Sequence, residues 1–170
     1  MKKILLMLFF IPFLFLALKI TGVRLNYTNS MPIGFYKKTH AANIKDGDLV
    51  AVCLPNHIAD IGLKNHYIAH GTCSNGSTPI LKKVIAIAGD SVSVNNYFMT
   101  VNGLSYPAPR LRTDRRHQAV QKIIQNGYYP HTQFYWLYGA NDPSHSWDSR
   151  YYGGVSRDHI IGTYKPLLTL

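Results

Sequence analysis

The sequence predicts a mostly β domain of antiparallel strands with short helices, carried behind one N-terminal transmembrane helix. Three observations lead there: short apolar or alternating runs recur, Asn-Gly and Asn-Asn turn signals separate them, and only two stretches have helical periodicity. The 170 residues, less the N-terminal apolar run, amount to one domain able to bury a core. With Tyr 12, Phe 7 and Trp 2, the composition excludes a disordered chain. Lys+Arg 18 against Asp+Glu 8 leave it basic, which suits nucleic acid, anionic headgroups or acidic partners without choosing among them.

Residues 1–23, MKKILLMLFFIPFLFLALKITGV, read as an anchor or signal segment. Lys2 and Lys3 precede an apolar run from Ile4 to Leu18, and extended to Val23 the segment reaches about 20 residues, enough to cross a bilayer. Pro12 lies inside the run, which leaves a cleavable signal sequence open, yet no small-x-small cleavage site follows. The short charged N-terminus places residues 24–170 outside the cytoplasm, although Lys19 and Arg24 pull the other way. NYTNSMP is then a turn and GFYKK a short strand. IKDGDLVAVCLP turns at Asp46-Gly47-Asp48 and continues as the strand LVAVCL. NHIADIGLKNHYIAHG has helical spacing, with Asn56 as N-cap and Gly71 past its end. TCSNGSTP is a loop and PILKKVIAIAGD an apolar strand. SVSV, YFMTV and LSYP make a meander through Asn-Asn and Asn-Gly turns. TDRRHQAVQKIIQNG reads as a second helix, with Ala119, Val120, Ile123 and Ile124 on one side. FYWLYG is a strand, GANDPSHSWDSRYYGG a polar loop outside the core, and HIIGTYKPLL the last strand. Cys53 and Cys73 either form a disulfide, which a site outside the cytoplasm permits, or remain two buried thiols. Without a histidine partner at ligand spacing they make no zinc site.

Two lysines interrupt the strand PILKKVIAIAGD. Neighbours on a strand point to opposite faces, so Lys82 shares a face with Ile80, Val84 and Ala86, and Lys83 with Leu81, Ile85 and Ile87. Both faces are apolar. Desolvation disfavours an ammonium, and lowering a lysine from about 10.4 to about 8 costs roughly 3 kcal/mol. The return is an amine that is uncharged near neutral pH and able to act as a general base. The plain alternative is a pair of snorkelling lysines with wet heads. Ser30 in NYTNSMP is a poor nucleophile alone, and Ser before Met-Pro is ordinarily a turn residue.

Taken in order, TNSMPIGFYK, LKKVIAIAGD and SWDSRYYGG form a set that resembles the type I signal peptidases, the Ser–Lys (S26-like) membrane endopeptidases. That family has a nucleophile in S-M-x-P or S-x-P after an anchor, a general-base lysine seven residues before Gly-Asp, and D-S-R-Y-x-G. Counting back from Gly89 gives Lys82 rather than Lys83. Proline directly after Met31, the short chain and the insert NHIADIGLKNHYIAHGTCSNGSTP resemble the conjugative-transfer, pilin-maturation (TraF-type) branch. The resemblance runs from Asn26 to Pro166 and implies a signal-peptidase-type β domain. It implies Ser30 as nucleophile, Lys82 as base and Asp148 as a third catalytic member. The Ser30 N–H and the Thr28 hydroxyl would hold the oxyanion, with Thr28 standing where relatives carry serine. Ser146 would orient the lysine amine, and Asp148 and Arg150 would form an ion pair that holds the loop. A carboxylate beside Lys82 opposes a lowered pKa, so Asp148 should act on Arg150 and loop geometry more than on the amine. GANDPSHS departs from the family's Gly-Asp-Asn-Arg, which bears on the register of Ser146. Met31, Pro32 and VIAIAG are expected as pocket walls beside Ser30. The implied partners are a precursor protein or pilin substrate and the lipid bilayer, with no nucleic acid, no metal and no organic cofactor. The implied location is the inner (cytoplasmic) membrane, single pass, with the catalytic domain on the periplasmic side.

Other classes explain less of the set. A Ser–His–Asp hydrolase using His145 or His159 lacks a GxSxG elbow. A cytoplasmic Ser–Lys autoprotease of the repressor-cleaving type would need another segment in place of the apolar N-terminus. A non-enzymatic, membrane-anchored β binding module of a secretion or conjugation apparatus would grip headgroups or nucleic acid through Arg110, Arg112, Arg115, Arg116 and Lys122. No nucleic-acid-binding signature accompanies that cluster.

Overall fold

Ten strands, two short α-helices and two 3-10 turns build the domain in a computed structural model that describes residues 21–107, 109, 111–114 and 116–170. The strands are β1 (Val23–Asn26), β2 (Gly34–Thr39), β3 (Leu49–Val52), β4 (Ile80–Ala86), β5 (Val92–Val94), β6 (Phe98–Val101), β7 (Leu104–Pro107), β8 (Gly127–Tyr129), β9 (Trp136–Tyr138) and β10 (Ile160–Thr169). The helices are α1 (Asn56–Lys64) and α2 (Ser149–Tyr152). Six strands form one sheet in the order β1-β2-β10-β3-β4-β9, and four form a second in the order β7-β6-β5-β8. Every paired strand is antiparallel. The mostly β, antiparallel class therefore holds. Of the segment expected as a transmembrane anchor, residues 1–20 lie outside the described set and Val23 already opens β1, paired with Lys37; no described helix is long and apolar enough to cross a membrane.

β4 organises the interior, because strand alternation sends its side chains to different apolar clusters. Val84 joins Val50, Val52, Leu137, Tyr152 and Ile160 in a core covered by α1 and by Trp147. Leu81 packs with Met31, Tyr36, Ala51 and Tyr164. A register shift between Val84 and Ala86 lets consecutive Ile85 and Ala86 both join the core of the small sheet, with Val92, Met99 and Trp136. Lys82 pairs with Val50 in the middle of this strand.

Three expectations are corrected. Asn56 is the first residue of α1, not its cap; Pro55 stands there, its carbonyl accepting from Ile58 and Ala59 N–H, and the helix stops at Lys64, before His66 with φ 57°. The helix expected over 113–127 does not form among its described residues. Asp114 Oδ1 instead accepts from the N–H groups of Arg116 and Gln118, a local turn that competes with helix. Thr113 then bridges Ala119, and the apolar residues disperse, Val120 and Ile123 onto one core and Ile124 onto another. Finally, the polar segment after β9 stays outside the core only as far as His145; its second half is core. Trp147 through Tyr152 are all buried, and Ser149–Tyr152 is helical with the Asp148 carboxylate capping it by accepting from Arg150 N–H.

A disulfide joins Cys53, just past β3, to Cys73 in the loop beyond α1, a separation of 20 residues. A cross-link of that span contributes about 3 kcal/mol in the chain-entropy account. It ties the chain after α1 back to the end of β3; residues 65–69 of that chain line the cavity described next, while the cysteines themselves do not.

Candidate active site

A cavity of about 730 Å³ opens between the turn after β1, the start of β4 and the segment after β9. Thr28, Ser30, Lys82 and Ser146 all line it. Leu25, Tyr27, Ile68, Ile80, Leu81 and Trp147 supply its apolar walls, and the Arg24 guanidinium crosses to the Pro79 carbonyl at one side. Met31, Pro32 and the strand VIAIAG do not line it, against expectation. Met31 turns under the site into the cluster with Tyr36 and Leu81, and β4 beyond Lys82 dives into the core.

Lys82 is 3% exposed on a strand flanked by apolar neighbours. Burial pulls its amine down to about 8; Asp148 opposes the shift and Arg150 supports it. The amine donates to Ser146 Oγ at 2.8 Å. That bond uses an N–H and leaves the lone pair of the neutral amine unclaimed. Among the described residues no hydrogen bond joins Lys82 to Ser30; the two side chains face the same cavity.

Behind Ser146 sits a fully buried ion pair. Asp148 and Arg150 are both 0% exposed, and Arg150 Nε donates to Asp148 Oδ1 at 2.7 Å and Nη2 to Oδ2 at 3.0 Å. Asp148 Oδ2 also accepts from Gly139 N–H at 2.9 Å, and Arg150 Nη2 donates to the Ser146 carbonyl at 2.7 Å. The guanidinium lies 5.9 Å from the Tyr138 ring centre and 5.5 Å from that of Tyr151. Neither Asp148 nor Arg150 lines the cavity. They hold the backbone that presents Ser146. His145 pairs with Asp142 instead, and among the described residues no histidine bonds Asp148, so no Ser–His–Asp relay is assembled there.

Ser30 is half-buried in the turn between β1 and β2. Thr28 is an exposed residue whose hydroxyl donates to Asn26 Oδ1 at 2.9 Å, so its single proton is engaged within the turn. Arg112, Arg116 and Lys122 are exposed, Arg116 bonding Asp114 and the Asn65 carbonyl; Arg110 and Arg115 lie outside the described residues. Cys53 and Cys73 do not line the cavity. Among the described residues no cluster of His, Cys, Asp and Glu could hold a metal ion.

Three residues that the sequence reading passed over shape the site. Asn26 and Asn141 bond the backbone of the Ser30 turn. Gly139 is the third: a Cβ there would lie 1.9 Å from Ser146 Oγ, so any side chain would push Ser146 off the lysine. A glycine ending the WLY strand was the available signal for a close approach.

The signal peptidase, peptidase S26, family model matches residues 2–168. A plasmid transfer protein TraF of Escherichia coli is 30% identical over 155 residues, covering 90% of this chain and 86% of that protein. A probable conjugal transfer protein TraF of Sinorhizobium fredii (strain NBRC 101917 / NGR234) is 31% identical over 150 residues, covering 87% and 78%. Of solved structures, a signal peptidase I from Enterococcus faecalis V583 aligns with TM-score 0.39 and 18% identity, covering 74% of this chain and 100% of that one. With nearly its whole length matched, the chain belongs to the signal peptidase, peptidase S26, family.

Proposed function

We propose that the chain is a membrane-anchored serine endopeptidase whose Ser30–Lys82 dyad processes an exported precursor, a conjugative pilin precursor. The observation that carries this reading is the Lys82 amine: buried, lowered to about 8, tethered to Ser146 and facing the cavity that Ser30 also faces. In the reaction, neutral Lys82 takes the proton of the Ser30 hydroxyl as Oγ attacks the carbonyl carbon before the scissile bond. The negative oxygen of the tetrahedral intermediate is held by the Ser30 N–H and by the Thr28 hydroxyl, which must rotate off Asn26 to reach it. The Lys82 ammonium then protonates the leaving amine, and the C–N bond breaks to give the acyl-enzyme. Lys82, neutral again, takes a proton from the deacylating nucleophile, which is water in hydrolysis or the substrate's amino terminus in cyclisation. Ser30 leaves with that proton returned. Asp148 enters as the residue that, with Arg150, holds Ser146 against the amine.

Location follows from the same chemistry. The apolar segment ahead of β1 anchors the domain in the inner membrane with the site on the periplasmic side, where the Cys53–Cys73 disulfide is chemically at home. Exposed Leu25, Phe35 and Leu168 are register neighbours across β1, β2 and β10, an apolar row that begins where the anchor ends and rests on the bilayer. A substrate cut beside a hydrophobic segment is thereby met at the membrane surface.

Full-length protein incubated with a pilin-type precursor carrying Ala one and three residues before the cut tests the reading. Ser30→Ala and Lys82→Ala should each lose about 10³-fold or more in turnover, while Lys83→Ala stays near wild type. Retained cleavage in both of the first two variants sinks the peptidase; loss in Lys83→Ala alone moves the base by one residue.

A further inference from the structure

We infer that Asn26 and Asn141 are positioning residues that fix the nucleophile turn from its carbonyl side and so aim the Ser30 N–H at the oxyanion; this rests on the reading of Ser30 as nucleophile. From Thr28 to Pro32, five consecutive carbonyls each meet a donor. Asn26 Nδ2 lies 2.9 Å from Thr28 O, 2.9 Å from Met31 O and 3.0 Å from Pro32 O. The Tyr36 hydroxyl reaches the Pro32 carbonyl as well, at 2.6 Å. The two carbonyls between belong to Asn141: its Nδ2 is 3.1 Å from Asn29 O, and its own N–H is 3.1 Å from Ser30 O. The turn thus curls around one carboxamide and is gripped from the other side by a second residue.

The grip has a directional consequence. In a trans peptide the C=O and the following N–H point opposite ways. Holding Asn29 O against Asn141 turns the Ser30 N–H away from Asn141, and holding Ser30 O does the same for the Met31 N–H. Asn141 therefore sets both peptide planes that flank the Ser30 Cα. Among the described residues, the Ser30 N–H itself donates to nothing within the protein. Asn26 is 6% exposed, and its Oδ1 accepts from the Thr28 N–H at 3.3 Å and the Thr28 hydroxyl at 2.9 Å, so the other oxyanion donor is stored on the same side chain. Asn141 also lies on the segment in which Gly139 meets Asp148 and Ser146 meets Lys82. One stretch of chain, 139–150, thereby sets the spacing between the nucleophile turn and the base.

The test uses the full chain and the Ala-containing precursor, with Ser30→Ala as the control. Asn26→Asp keeps the shape and the acceptor but removes the Nδ2 donors; kcat should fall about 100-fold with KM moved less than about threefold, the pattern of lost geometry rather than lost binding. Asn141→Ala removes one bond from an exposed side chain; kcat should fall about 10-fold at an unchanged melting temperature. Its pH–rate profile should keep the wild-type acid limb, because the lysine half is untouched. The double variant should lose less than the product of the two, since both act on one turn. The inference is overturned if Ser30→Ala is inactive while Asn141→Ala keeps kcat within twofold, or if its loss lies in KM alone. Should Ser30→Ala cut like wild type, the nucleophile reading fails and takes this inference with it.

Discussion

The two halves of the site are built by opposite means. The lysine half is dry and deep: Lys82 sits on β4, a strand paired on both sides within the six-stranded sheet, and behind its Ser146 partner Asp148 and Arg150 are sealed from water. The serine half is a surface turn at the sheet edge, half-open, held by amide side chains that occupy its carbonyls. The contrast follows from what each group must do. A general base near neutral pH needs its ammonium form destabilised, and burial does that. A nucleophile needs access to a large substrate and donors left free, and a pinned turn provides both. Stability is concentrated in one half and openness in the other, and one segment, 139–150, touches both.

That contrast can be broken at its deep end first. Arg150→Met should destabilise the fold by about 3–5 kcal/mol in urea unfolding, because it strands a buried carboxylate. Asp148→Asn added to it should recover part of the loss. A surface-type cost of under about 1 kcal/mol would show that the pair is not sealed.

The lysine itself should be a stability liability. Its folded value of about 8 lies below the unfolded 10.5, so the unfolded chain holds the proton more tightly between those values. Stability therefore rises as pH climbs from 8 towards 10.5, and below 8 the penalty, about 3 kcal/mol, is present in full. Lys82→Met should be more stable than wild type at pH 7 by up to about that amount, inactive, and without the rise. A variant less stable than wild type at pH 7 would mean that the amine is solvated or favourably paired.

The smallest effect belongs to the open end. Thr28→Val should lower kcat about 10-fold or more and Thr28→Ser should restore most of it, if the hydroxyl leaves Asn26 to meet the oxyanion. Equal activity in all three proteins would leave the oxyanion to backbone donors.

How much of this was legible in the sequence divides along the same line. β4 announced itself because Lys82 and Lys83 stand among apolar residues on both strand faces, a local pattern. The short strands on either side of Asn-Gly and Asn-Asn were equally local. The stretch from Ser146 to Tyr152 misled because burial there depends on Asp148 and Arg150 cancelling each other's charge, and a list of polar residues does not show pairing. The helix over 113–127 misled because Asp114 closes its own turn before helical bonds can propagate. Ser30, Lys82 and Ser146 could be singled out through the three motifs and their order. Asn26 and Asn141 could not: Asn26 acts through backbone carbonyls of its own turn, which no motif marks, and Asn141 reaches that turn across 112 residues of sequence separation.

The pH dependence of kcat/KM bears hardest on the whole account, since it reports the essential base of the free enzyme. Wild type should gain about tenfold per pH unit on the acid side and level off near pH 8, where burial sets the Lys82 amine. A profile that keeps climbing towards 10.5, or one flat from pH 6 upward, would contradict a water-starved lysine as the base.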